Sequence, residues 1–284
     1  MSSDVKECSE STSCGGGSCV LDEQKIMRAC MARIKHKIVV MSGKGGVGKS
    51  TVAVNLAVAL STAGKKVGLL DVDIHGPSVP GMLKLSDERI RMENDKIVPV
   101  CIGELKVMSI GFMLNDRDDA VIWRGPMKMG VIKQFLTEVN WGELDYLIID
   151  SPPGTGDEPL SVCQLIENVD GAVIVTTPQE IAAADVRKSI DFCLRLDVPV
   201  LGIIENMSGF VCPSCGEVTE VFNSGAGVEL ADKFGLRLLG KIPLDPMVCK
   251  AGDSGEPFVY HFSNTATSKS FETVIAPILA LSDC

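Results

Sequence analysis

Nine consecutive residues have the types and spacing that hold phosphate: Gly43-Lys44-Gly45-Gly46-Val47-Gly48-Lys49-Ser50-Thr51. They contain the pattern G-x-x-x-x-G-K-S. Its glycines let successive backbone N–H groups turn toward phosphate oxygens, and the start of the helix that follows adds a partial positive charge. Lys49 is spaced to bridge the β- and γ-phosphates of ATP, and the Ser50 hydroxyl to bind Mg2+. Two acids close a second apolar run in Leu69-Leu70-Asp71-Val72-Asp73, and a third closes Ile148-Ile149-Asp150-Ser151-Pro152-Pro153-Gly154. Asp150 has the form of an acid that holds Mg2+ directly or through water. Asp71 and Asp73 also suit an ordinary strand-to-turn junction. Cys212-Pro213-Ser214-Cys215, set between Gly209 and Gly216, offers a different chemistry. Two thiolates are half of what a four-iron cluster or a tetrahedral zinc takes. Three completions exist: two protomers pooling their pairs, the cysteines of the N-terminal tail joining, or a labile two-ligand zinc.

The elements that must position these groups follow from the apolar pattern. Short, β-branched runs at 38–41, 67–71, 146–150, 172–176, 200–204 and 238–242 predict strands buried on both faces. Helical stretches are expected at 50–63, 127–139, 157–167, 180–195, 226–234 and 262–281, with a hairpin near 90–110. Strand–helix alternation implies an α/β fold, a doubly wound and mostly parallel sheet with helices on both faces. The carboxyl ends of its strands converge on one crevice, which gathers the phosphate loop and the three acids. Residues 36–284 form this domain. Residues 1–35 read as a Cys-, Gly- and Ser-rich tail with little apolar periodicity.

The chain has 284 residues, 45% of them hydrophobic, and a formal net charge of -10, so it can bury a sizeable core but carries no basic stripe for nucleic acid. No apolar run has the length of a membrane span and the first residues lack a signal-peptide core, so a cytoplasmic location is expected. Eleven cysteines in a reducing compartment are not a disulfide framework. Cys101, Cys163, Cys193 and Cys249 stand singly and are expected as buried bystanders. Cys8, Cys14, Cys19 and Cys30 match no familiar cluster spacing; ligation and a redox-labile tail both remain open. His36, His75 and His261 are assigned no chemistry.

The second lysine, Lys44, makes the loop K-G-G-x-G-K-S-T, which resembles the variant loop of the MinD, ParA and nitrogenase-iron-protein class. Asp71-Val72-Asp73-Ile74-His75-Gly76-Pro77-Ser78-Val79-Pro80, Asp150-Ser151-Pro152-Pro153-Gly154-Thr155-Gly156-Asp157, Glu205-Asn206-Met207-Ser208-Gly209-Phe210 and the Cys212-Pro213-Ser214-Cys215 turn resemble the Mrp/ApbC/NBP-type iron–sulfur carrier ATPases within it. The resemblance spans about residues 36–282. It implies slow ATP hydrolysis, a 4Fe-4S cluster bridging a homodimer, and apo iron–sulfur proteins as recipients. Lys44 would reach the other protomer's phosphates, and Asp73 would orient the attacking water. The Gly154 N–H would sense the γ-phosphate. Asn206, expected just after a strand, would bond the adenine edge, with Pro243 and Asp245 flanking the base.

Two rival readings come from the same class. A MinD- or ParA-like spatial organiser needs a membrane-targeting amphipathic helix or a basic DNA-binding face, and residues 265–284 carry a single lysine, Lys269. A nitrogenase-like donor would use ATP to drive electrons to a partner.

Overall fold

The β-branched runs become strands whose side chains are buried on both faces, as Ile38, Val39, Val40 and Met41 show at 0% exposure each. The computed structural model describes residues 16–283 apart from 75, 115–124, 167, 213, 223 and 224. Eleven strands are described: β1 (Ile34–Ser42), β2 (Val67–Asp71), β3 (Arg91–Glu93), β4 (Lys96–Val98), β5 (Val100–Ile102), β6 (Leu105–Ser109), β7 (Leu144–Asp150), β8 (Gly171–Thr176), β9 (Val200–Val211), β10 (Val218–Thr219) and β11 (Leu238–Leu244). Nine form one sheet in the order β10-β9-β8-β1-β7-β2-β6-β5, with β11 also on β9; β3 and β4 form a separate hairpin. Neighbours run parallel except at β5–β6 and β9–β10. The fold is therefore α/β with a mostly parallel sheet. The stretch expected as one hairpin near 90–110 instead supplies that hairpin, an edge strand and β6, which pairs with β2.

Ten α-helices are described around the sheet: α1 (Gly16–Met31), α2 (Lys49–Thr62), α3 (Val79–Met82), α4 (Gly125–Thr137), α5 (Asp157–Leu165), α6 (Glu180–Arg195), α7 (Ala226–Phe234), α8 (Pro246–Ser254), α9 (Phe258–His261) and α10 (Ala266–Leu279). Successive strand side chains point to opposite faces. In β8, Val173 and Val175 accordingly join the main core, while Ile174 joins a second one with Val186 and Ile190 of α6 and Leu230 of α7. Helices thus cover both faces.

The expectation of little apolar periodicity before residue 35 is corrected over the second half of that segment. There α1 buries Met27 and Met31, at 6% and 3% exposure, against the core, because three apolar positions near its end recur at helical spacing. The helix expected over 262–281 is α10, which starts at Ala266, where Thr265 caps it by accepting the Ser268 N–H; the short α9 ends before it, at His261.

Candidate functional site

The loop after β1 is built by close approach and left-handed backbone. Gly46 and Gly48 have φ of 76° and 81°, which residues with a Cβ rarely adopt. A Cβ on Gly43 would lie 2.5 Å from the Asp185 carbonyl carbon in α6, and one on Gly48 would lie 2.2 Å from Asn206 Nδ2. Val47 is buried and its carbonyl accepts a hydrogen bond from Asn206 Nδ2 at 2.8 Å. Gly45 has open space around it. Lys49, Ser50 and Thr51 open α2, so its free N–H groups face the loop.

Lys49 Nζ lies 2.6 Å from Asp150 Oδ1, 3.2 Å from Ser50 Oγ and 3.7 Å from Asp73 Oδ2. Asp150 is fully buried, and its Oδ2 has no hydrogen-bond partner among the described residues. Burial raises the Asp150 pKa, opposed by the Lys49 charge. Asp71 pairs in register with Asp150 across β2 and β7. It is pushed up to about 8, first by burial and then by the Asp150 charge. Both Asp71 oxygens are used within the chain: Oδ1 accepts the Asp73 N–H and Oδ2 accepts Ser109 Oγ–H. Asp71 therefore fixes the turn that carries Asp73. Lys44 Nζ donates to Gln179 Oε1 at 2.8 Å, and the Gly154 N–H donates to the Ser42 carbonyl. Ser109 and Gln179 were missed by sequence reading, since lone polar residues at strand and helix ends carry no local signal.

From Gly48 and Thr51 a cavity of about 680 Å³ opens toward Asn206, Met207, Pro243, Asp245, Val248 and Cys249. The residues expected to hold the base therefore line one space with the phosphate loop. Asn206 lies inside β9, and the expectation of a strand ending before it is corrected: the strand continues to Val211 because Phe210 pairs with Leu244 of β11 and Val211 with Val218 of β10, while the fully buried Glu205 accepts from Ser208 Oγ and the Gly227 N–H. The Asp245 carboxylate caps α8 through the Met247 N–H and accepts Thr267 Oγ–H. Cys249 and Cys101 are exposed, which corrects their reading as buried; Cys163 and Cys193 are buried as expected. Cys249 sits on the cavity side of α8, and Cys101 on edge strand β5.

The Cys212, Cys215 pair occupies the turn between β9 and β10. The Cys212 N–H donates to the Glu217 carbonyl, and the Gly216 N–H to the Cys212 carbonyl. Backbone N–H groups of Cys215 and then Ser214 turned toward the Cys212 sulfur hold its thiol below the usual range. Cys215 is exposed and Cys212 half-buried. Cys30 Sγ points to the Thr137 carbonyl in α4. Cys8 and Cys14 lie outside the described residues, as do His75 and the side chain of Cys19. Among the described residues no third Cys, His, Asp or Glu joins the pair in a metal-binding group.

A phosphate loop after the central strand, a buried lysine–aspartate pair and strand-end acids in a parallel α/β sheet define a P-loop NTPase. Residues 33–279 match the family model ParA, described as NUBPL iron-transfer P-loop NTPase, and the chain belongs to that family. It is 48% identical over 274 residues to the iron-sulfur cluster carrier protein of Methanocaldococcus jannaschii, which covers 96% of this chain and 94% of the relative. It is 51% identical over 248 residues to the cytosolic Fe-S cluster assembly factor Nubp2 homolog of Anopheles gambiae, covering 86% and 96%. A solved nucleotide-binding protein from Archaeoglobus fulgidus, in complex with ADP and with cobalt, is 44% identical, with a TM-score of 0.75 over 84% of this chain and 93% of that one. The septum site-determining protein MinD of Pyrococcus horikoshii, complexed with Mg-ADP, shares the fold at 24% identity and a TM-score of 0.66, over 87% and 97%. No helix among the described residues is long and apolar enough to cross a membrane.

Proposed function

We propose that this chain is an ATP-dependent iron–sulfur carrier: it binds and slowly hydrolyses ATP, holds a 4Fe-4S cluster between two copies of itself and passes it to apo-proteins. The observation that carries the reading is the turn of half-buried Cys212 and exposed Cys215 at the end of β9, the strand that also brings Asn206 to the phosphate loop. Its cysteines supply two thiolates and a four-iron cluster takes four, so a two-fold pair of chains completes the set. The names of the relatives support this cargo, and the cytosolic name of one supports a cytoplasmic location. The acidic balance speaks against nucleic acid as the main partner.

In the ATPase reaction, backbone N–H groups of Gly45 to Thr51 would hold the phosphates, and Lys49 would leave Asp150 to bridge the β- and γ-phosphates. The unpartnered Asp150 Oδ2 and the Ser50 hydroxyl fit Mg2+ or its waters. When bound, Mg2+ neutralises the charge of the phosphate oxygens. Asp73 would orient a water whose oxygen bonds to the γ-phosphorus as the bridging P–O bond breaks, leaving ADP and phosphate. Lys44 would leave Gln179 to meet the partner's nucleotide. The Gly154 N–H would leave the Ser42 carbonyl to meet the γ-phosphate.

Anaerobic reconstitution with iron and sulfide tests the reading. About four irons per two chains are expected. Cys212→Ala and Cys215→Ala should each lose them while still binding ATP. Full iron in both variants, with loss instead on joint Cys→Ser substitution at Cys8, Cys14, Cys19 and Cys30, would assign the cluster to the N-terminal cysteines and overturn the bridging site. Electron delivery from a cluster that never leaves the protein would favour the donor reading.

A further inference from the structure

Asn206 and Met207 are adjacent in β9, and both line the cavity. A regular strand sends adjacent side chains to opposite faces. Alternation fails here because Met207 adopts a left-handed backbone, φ 57°, and Gly209 follows with φ 76°. Pairing with β11 shows the same break. Ile242 lies opposite Asn206 and Leu244 opposite Phe210, so Pro243 alone faces residues 207–209. Proline has no N–H to give to the ladder, and a bulge forms where the ladder lapses.

The bulge has two working ends and a pinned middle. At one end Asn206 donates its amide to the Val47 carbonyl of the phosphate loop. In the middle, Ser208 Oγ donates to Glu205 Oε1 at 2.6 Å, and the other oxygen of that buried carboxylate accepts the Gly227 N–H at the start of α7. At the far end a Cβ on Gly209 would lie 3.2 Å from Val218 Cγ1, so the hairpin bearing the cysteines is packed tightly onto the strand. Left-handed backbone at a residue other than glycine persists only where its surroundings hold it, and such positions cluster at switches.

We propose that the bulge at 207–209 couples the base end of the nucleotide cavity to the cysteine turn at 212–215, with Ser208 as the positioning residue that transmits the change. A base seated against Asn206 and Met207 shifts a segment anchored through Ser208, and the shift reaches the turn along the same strand. This rests on the proposed nucleotide reading of the cavity.

The test uses the reduced full-length chain, ADP as ligand and iodoacetamide as thiol probe, with alkylation followed peptide by peptide by mass spectrometry and ADP binding measured by calorimetry. Cys249 faces the same cavity and is exposed, so ADP should shield it directly; Cys101, on the far edge strand, serves as the reference. Saturating ADP should change the alkylation rate of the peptide holding Cys212 and Cys215 about fivefold or more. Ser208→Ala should bind ADP with the same affinity and lose this response, and Ser208→Thr, which restores the hydroxyl, should regain it. Calorimetric binding and Cys249 shielding with no change at Cys212 and Cys215 would overturn the coupling alone, as would a full response in Ser208→Ala. Failure of ADP to bind at all would overturn the nucleotide reading and the coupling with it.

Discussion

Lys49 is held by Asp150 at 2.6 Å and by Asp73 at 3.7 Å, and it is the near cation for both carboxylates. Lys49→Ala should lower ATP hydrolysis by ~10³-fold or more, because the charge it supplies acts on the transferring phosphoryl group. A phosphate-release assay with near wild-type activity in that variant would remove the loop from catalysis. Asp73→Asn separates two roles. If Asp73 acts on water, the variant binds ATP normally and turns it over poorly; parallel losses in affinity and rate would make it a metal or structural residue. Asp71 makes a pH prediction. Its folded pKa of about 8 lies above the ordinary 3.8, so between those values the folded chain holds a proton that the unfolded chain has released. Its contribution to stability is complete below about pH 4 and is lost as pH rises toward 8, by at most ~1.4 kcal/mol per pH unit. Urea unfolding in EDTA at pH 5 and pH 8 checks this: wild type should lose stability between the two, and Asp71→Asn distinctly less. Equal losses would mean that Asp71 is ionised in the folded chain.

At the scale of elements, α1 packs on the core through Met27 and Met31, and the consequence can be measured. Met31 is 3% exposed, so Met31→Ala should cost about 2–5 kcal/mol, as large-to-small core changes do. A chain beginning at Arg33 should melt below wild type; an unchanged Tm would show that α1 adds nothing to the fold. Iron loss on truncation is then ambiguous, so the N-terminal cysteines are better tested by substitution. The same elements show what could be read from sequence. Strands β1, β2, β7 and β8 were legible because burial on both faces demands unbroken apolar runs. Helix α1 was hidden because Gly, Ser and Cys fill its first turns. Helix α8 lacks a long apolar stripe, and its one local signal is Asp245 followed by Pro246, an N-cap and then a first-turn proline. The end of β9 was misplaced because Glu205 and Asn206 look like the polar start of a loop. Their partners, Gly227 and Val47, lie far along the chain, and no local pattern announces a buried polar residue satisfied at long range.

For the whole molecule, the net charge of -10 sets the terms on which two copies would meet in the proposed dimer. Association must overcome like-charge repulsion, which salt screens. A cluster that binds only the pair stabilises the pair. Sedimentation should therefore show a dimer that strengthens with reconstitution and with moderate ionic strength; dissociation on cluster binding would contradict the bridging arrangement. The site as a whole was legible where it consists of contiguous strings, as in the phosphate loop and the three acids. Gln179, Ser109 and Cys249 come from elements that meet only in the folded sheet. The borders of that sheet bear on assembly. One border is β5, three residues long, and the other holds the two-residue β10 and β11, which carries the exposed Lys241 and the donor-less Pro243. Short edges, lysine and proline discourage another chain from adding a strand. In the proposed dimer two copies would therefore have little backbone to zip together and would meet loop against loop. Such a contact can open again without unravelling a ladder, so the hand-over of a cargo need not disturb the fold of its bearer.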